Sequence, residues 1–345
     1  MTAQAEHLST RLSLQPVASA KTVGVLRLHR VGRTVLRLVG VFVPVFLLGT
    51  FATFLLGNLS GLSPAYLQLG ESATPEQVAA LEREWGLDRP FVVQYLDWFG
   101  SLLRGDLGNS WYNGQSISEL LLGRAIVSLS ASFLALVIGV VVGFALGVLA
   151  AAFRGRPVDR GVTAFTTLIS TMPPFVVGIA LVAVFAVSLG WLPSAGYLPL
   201  DAGLWPWLSH LLLPAIALSF DTIADVARQL RTGLVTASGE NYVTGAIVRG
   251  LSPRRVFFVH VLRNGVSPAI AILGMKFPNL LGGAVVTEAI FGLAGYGVFA
   301  SESALRGDVP AVQGVLVIAV VLVVTFNVIV NLILNRISPA SARGV

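Results

Sequence analysis

Cysteine is absent from the chain, so disulfides and thiolate metal sites are excluded. The four histidines are scattered at positions 7, 29, 210 and 260, a spread that makes a metal cluster unexpected. Lysine occurs only as Lys21 and Lys276, and neither follows a glycine. The phosphate-cradling G-x-x-x-x-G-K-[ST] loop is therefore missing, and with it any P-loop ATP hydrolysis. Charge is scarce throughout: 12% of the 345 residues are Asp, Glu, Lys or Arg and 55% are hydrophobic. A soluble domain carries about a quarter charged residues. This chain has too few polar side chains to cover itself in water, and lipid is the solvent its composition implies.

The formal charge of +6 and high pI raise the question of nucleic acid. The basic residues instead sit between long apolar runs, which is a membrane-orientation pattern, and no nucleic-acid partner is expected. A helix needs about 20 apolar residues to cross the hydrocarbon core. Leu38 to Leu56, Ala125 to Phe153 and Val309 to Asn335 are charge-free and each fits one span. Gly161 to Leu200 is also charge-free but too long for one; a third helix at 162–188 leaves Gly190-Trp191-Leu192-Pro193 as its exit turn. Residues 208–230 and 265–290 make the fourth and fifth. No cleavable signal peptide is expected, because the first apolar run begins far from the start and no A-x-A site follows it.

Six spans put both ends of the chain on one side. Seventeen Lys and Arg fall on that side, in the N-terminal tail (Arg11 to Arg37), after helix two (Arg154, Arg156, Arg160), after helix four (Arg228 to Arg263) and at the C-terminus. The other side holds five: Arg83, Arg89, Arg104, Arg124 and Arg306. The positive-inside rule makes both termini cytoplasmic. The expected division is a tail at 1–34, helix one at 35–57, an outer domain at 58–124, a core of helices 2–6 at 125–335 with a cytoplasmic loop at 232–264, and a C-terminal end at 336–345.

The outer segment has helix signals of its own. Thr74-Pro75-Glu76-Gln77 reads as an N-cap, a proline at the first helical position and a residue able to close a capping box, so a short helix is expected over 75–85. Apolar residues at Phe91, Val92, Tyr95, Leu96, Phe99, Leu102 and Leu103 repeat at helical spacing and predict a second helix over 91–104.

The loop after helix four is over thirty residues long and basic, where short connections are the rule. Its residues 242–249 suit a helix, and Gly250 can end it in a left-handed conformation. Ser252 and Pro253 suit the N-cap and first position of another helix.

At this loop a family resemblance becomes visible. Tyr242-Val243, Gly250-Leu251-Ser252, Arg254-Arg255-Val256, His260 and Leu262-Arg263-Asn264 resemble the EAA loop of ABC importer permeases, in the form found in oligopeptide/dipeptide permeases. Gly86-Leu87-Asp88-Arg89-Pro90, Arg104-Gly105-Asp106-Leu107-Gly108, Met172-Pro173-Pro174-Phe175 and Thr287-Glu288-Ala289-Ile290-Phe291 with Gly295-Tyr296-Gly297 are similar to other motifs of that family, in the same order. The long outer segment resembles its B-type subunit. The chain departs from the family at Gly245, Ile247 and Val248, where small and basic residues are usual, and at Ile337-Ser338-Pro339, where Asp-Pro-Arg is usual.

The resemblance implies an all-α integral membrane protein of the type I ABC importer permease fold, in the bacterial inner membrane. It implies a second, C-type permease, two ATPase subunits that carry ATP and Mg, an extracytoplasmic binding protein and a peptide substrate, with no cofactor bound by this chain. It assigns contact with the ATPase to a coupling helix, through Ala246, Gly250, Leu251, Ser252, Arg254, Arg255 and His260. Relatives of this family also carry nickel, glutathione or sugars. An ATP-independent channel would leave the long loop without a purpose, and Ser238 lies in that loop with no base nearby to make it a nucleophile.

Charges inside a membrane are costly and point to function. Asp221 lies ten residues before Arg231, about 15 Å along a helix, and Lys276 twelve after Asn264, about 18 Å. Both are expected near the membrane middle, as an ion pair between helices or facing the translocation path. Glu288, twelve residues further on, should lie near the outer surface, at a gate or capping a loop. Pro173 and Pro174 each remove a backbone donor and should bend helix three, either making room for the path or as a static feature.

Overall fold

The structure, a computed structural model, describes residue 40, residues 42–59, residue 61 and residues 63–337. The basic tail and the end beyond residue 337 lie outside the described residues. Two units separate at residue 48, Met1–Leu48 and Gly49–Val345; the packing described below is all within the second.

Among the described residues the regular structure is helical, apart from one bridge between Asn109 and Ser116. Helix α1 covers Phe42–Leu59. The outer segment holds α2 (Pro64–Leu69), α3 (Pro75–Glu84) and α4 (Phe91–Leu103). The long helices follow: α5 (Ile117–Ala152), α6 (Pro157–Thr171), α7 (Pro174–Leu181, continued as a π-helical turn Val182–Ser188) and α8 (Leu204–Ser238). Helix α9 (Asn241–Val248) lies in the loop after α8, and α10 joins Pro253–Arg255, a π-helical turn Val256–Leu262 and Arg263–Gly265. The last described helices are α11 (Ser267–Ile290), α12 (Tyr296–Leu305) and α13 (Val309–Ile337). Five of these helices are long and apolar enough to cross a membrane, and six spans result if α6 and α7 count as one broken span.

Between α6 and α7 the axis turns by 96°. Met172 and Pro173 are extended there, with ψ of 119° and 137°. A residue before proline is pushed out of the helical region, and two prolines in a row force two such residues. The sequence implies a bend; the structure makes it a corner.

Lipid supplies no hydrophobic drive between helices, so close packing of small residues takes its place. On α5, Gly139, Gly143 and Gly147 lie one turn apart against α8. A Cβ on Gly143 would come within 2.9 Å of the Ile223 carbonyl oxygen, and one on Gly147 within 2.8 Å of that of Ala227. Ser128, Ser132 and Ala135 extend the same buried stripe. This seam makes α8 the most enclosed of the long helices.

The outer helices are held by caps and aromatics. The Thr74 hydroxyl accepts from Gln77 N while Gln77 Oε1 accepts from Thr74 N at 2.9 Å, which is the expected capping box. Phe51 and Phe54 pack edge-on to Phe91 and Tyr95. Trp85 stacks on Trp111 with centroids 5.4 Å apart. Asp308, just before α13, accepts from Ser110 Oγ at 2.5 Å and from Trp111 N at 3.2 Å. The outer segment is thus fixed to the base of the last span.

Candidate functional site

The loop after α8 folds as a small domain on the end of that helix. Val243 and Ala246 of α9 are buried together with Leu230, Leu234 and Ala237 of α8, Val256 and Val261 of α10 and Ala269 of α11. Gly250, at φ +75°, closes α9 as expected, with its N–H bonded to Ile247 O at 2.9 Å. Ser252 stands at the N-cap with Pro253 at the first position, but its hydroxyl makes no capping bond. Beneath this domain two backbones meet: a Cβ on Gly265 would lie 2.9 Å from Gly233 O.

The assigned coupling residues divide on this base. Gly250, Ser252, Arg254 and Arg255 are exposed, whereas Leu251 and His260 are half-buried. Ala246 is fully buried, so it anchors α9 and presents nothing to a partner. Ile247 and Val248, noted in the sequence only as departures from the family, are 59% and 81% exposed. Phe258 and Val259 of the same loop are also exposed, at 63% and 47%, so the loop presents apolar as well as basic surface. α8 also runs on to Ser238, past residue 232.

A second constellation lies within the spans. Lys276 of α11 is 8% exposed and donates to Asp221 Oδ2 at 2.5 Å and to Asp225. The expected pair is therefore a triad. Asp225 is one helical turn beyond Asp221, a spacing visible in the sequence. Arg228 follows on the same face, 57% exposed and 3.3 Å from Asp225. Nearby, Arg231 makes a two-pronged ion pair with Asp159 of α6, at 2.5 and 2.7 Å, and Gly155 N donates to the same carboxylate at 2.8 Å. A cleft of about 140 Å³ opens between α5, α6 and α8, lined by Thr163, Thr166, Thr167, Thr232, Arg228 and Arg231 among others.

Glu288 is enclosed within the chain. It is 1% exposed and accepts hydrogen bonds from Ser128 Oγ and from Val298 N at 2.9 Å. Ser128 Oγ in turn accepts from Tyr296 N at 2.7 Å. Carboxylate and hydroxyl together satisfy N–H groups at the start of α12, which a helix leaves without internal partners. This geometry fits the loop-capping alternative for Glu288. Among the described residues, no three His, Cys, Asp or Glu side chains are grouped so as to hold a metal.

The comparisons with known proteins agree with this architecture. Residues 143–343 match the family "Binding-protein-dependent transport system inner membrane component", and residues 32–132 match the N-terminal domain of such membrane components. The probable peptide ABC transporter permease protein y4tP of Sinorhizobium fredii is 36% identical over 88% of this chain and 96% of its own. The di/tripeptide transport system permease DppB of Pseudomonas aeruginosa is 33% identical over 88% and 96%, and the glutathione transport system permease GsiC of Salmonella choleraesuis 32% over 88% and 96%. A solved chain of the MetNI methionine ABC transporter, in an inward-facing form, superposes with a TM-score of 0.52 at 19% identity, covering 64% of this chain and 98% of that one. This chain belongs to the inner-membrane component family of binding-protein-dependent transport systems: it is an ABC importer permease.

Proposed function

We propose that the chain is the B-type permease of an ATP-driven importer of short peptides. It forms half of the translocation path beside a C-type permease, receives peptide from an extracytoplasmic binding protein, and binds no cofactor. ATP and Mg belong to two separate ATPase subunits. Peptide cargo is supported by the relatives, among them peptide and di/tripeptide permeases. Cytoplasmic termini are supported by the bias of Lys and Arg. The outer helices would cover the outer vestibule or meet the binding protein.

The observation that carries the coupling role is the exposed apolar face of Ile247 and Val248 on a buried base. An apolar pair in an otherwise exposed loop fits a groove on a partner, as short helices do, with Gly250, Ser252, Arg254 and Arg255 at its rim. Pushed by the ATPases, α9 would carry α8 and α11 with it. The Lys276 ion pairs join those two helices, and Asp159–Arg231 joins α6 to α8. Asp221 and Lys276 would then lie on the moving wall of the path, with the corner at Pro173 and Pro174 between α6 and α7.

The test is ATP hydrolysis by the whole complex in lipid, with binding protein and peptides added. Peptide-stimulated hydrolysis that is lost in Gly250→Asp supports the reading. A complex that responds to nickel, glutathione or a sugar instead retains the fold and changes the cargo. A chain that purifies alone and passes solute without ATP would overturn it.

A further inference from the structure

The outward face of α8 is polar over three turns. Asp221 is 50% exposed, Asp225 26% and Arg228 57%, and Thr232 is exposed beyond them. Their spacing of three and four residues puts them on one stripe. α8 is otherwise the most buried of the spans, and away from its two ends this stripe is where it opens. An ionised carboxylate half open to hydrocarbon is costly. The stripe must face water or polar matter.

The stripe is also polarised. Lys276 has one positive charge to share between Asp221 and Asp225, so an acidic excess stays at the Asp221 end. At the other end, Arg228 has five N–H donors and a single contact of 3.3 Å to Asp225. Beside it the cleft offers the Thr163 and Thr232 hydroxyls and the edge of Arg231, while the Thr166 and Thr167 hydroxyls already donate to Thr163 O. Seven residues separate the two ends, about 10 Å along a helix. An extended chain of three residues is about 10 Å long.

Resting on the peptide-importer reading, we infer that this stripe is a transient binding track for a short zwitterionic peptide. Asp221 receives the α-ammonium group, and Arg228, with the threonine cleft, receives the α-carboxylate. Lys276 touches no peptide; it positions Asp221 and keeps the acidic pair from repelling itself. Side chains of the peptide are left unread, because the contacts are made at its two ends.

The test uses the whole complex, nucleotide-free in nanodiscs, without binding protein. Binding of radiolabelled trialanine is compared with that of N-acetyl-trialanine and trialanine amide. The variants are Asp221→Asn and Arg228→Gln. Neither strands Lys276, which keeps Asp225 in the first and both acids in the second, and co-purification of all subunits checks assembly. The parent should prefer trialanine to each blocked peptide by about tenfold or more, the scale of losing one partner of a partly exposed charge pair. Asp221→Asn should lose the preference over the N-acetyl form and keep that over the amide, and Arg228→Gln should do the reverse. If peptides stimulate ATP hydrolysis with binding protein present, yet trialanine fails to bind or both variants keep both preferences, the track is overturned and the importer reading stands. If no peptide binds or stimulates, both fall.

Discussion

Ile247 and Val248 form the exposed side of a helix whose other side is fixed by Val243 and Ala246. Val248→Asp should therefore reduce co-purification of ATPase subunits about tenfold or more, while the permease pair stays assembled. Pull-down from detergent measures this; unchanged ATPase yield would remove the pair from the interface. Lys276→Met makes a different prediction. It leaves Asp221 without a cation and Asp225 with only the exposed Arg228, so stability should fall by about 1–3 kcal/mol, less than for a fully buried pair because Asp221 is half-exposed. Adding Asp221→Asn and Asp225→Asn should restore most of the loss in a thermal unfolding assay. A triple variant no more stable than Lys276→Met would show that the charges are not the cause. At this scale the sequence was partly legible. Intramembrane charges stand out in apolar surroundings, which exposed Asp221 and Lys276 but hid Asp225 and Arg228 near the helix end. Asp159 and Arg231 lie 72 positions apart, and nothing local links them. Ala246 and Val248 are both small and apolar, and only packing decides which one is buried.

The α5–α8 seam depends on three glycines. Gly143→Leu would drive a side chain into the Ile223 carbonyl, and overpacking of this kind costs about 1–3 kcal/mol. The melting temperature of the complex should fall accordingly. A Leu variant that melts with the parent would mean that the two helices do not meet closely in the membrane. The repeat Gly139-x-x-x-Gly143-x-x-x-Gly147 was present in the sequence as a packing signal, though it names no partner helix. Apolar runs located every long helix, because span length is set by the bilayer. Their ends were less legible: α5 starts at Ile117 and α8 extends to Ser238, since a helix continues past the membrane wherever protein receives it. The double proline announced a break without giving its angle, which depends on what α6 and α7 pack against.

The molecule as a whole has an orientation that can be read in cells. Its lack of cysteine gives a clean background for single-cysteine labelling. Asn113→Cys, in the outer segment, should react with a membrane-impermeant maleimide on intact spheroplasts. Arg249→Cys, at the end of α9, should react only after permeabilisation. The opposite pattern would invert the topology and place the apolar face of α9 where no ATPase can reach it.

The corner at Met172–Pro173 bears on the electrical tightness of the membrane. Below it, α6 is tied to α8 through Asp159 and Arg231. Above it, α7 packs against Phe291, which a Cβ on Gly178 would approach to 3.1 Å. A span with a corner can turn at one end without prising open the other, so on the proposed orientation the inner half would swing while the outer half stays closed. Replacing Pro173 and Pro174 with alanine should join the halves into one stiff rod. In a planar bilayer with ATP cycling, that complex should carry an ion leak where the parent is silent, and a silent variant would show that the seal does not depend on the corner. A cell that stores energy as a voltage needs an importer that never short-circuits it.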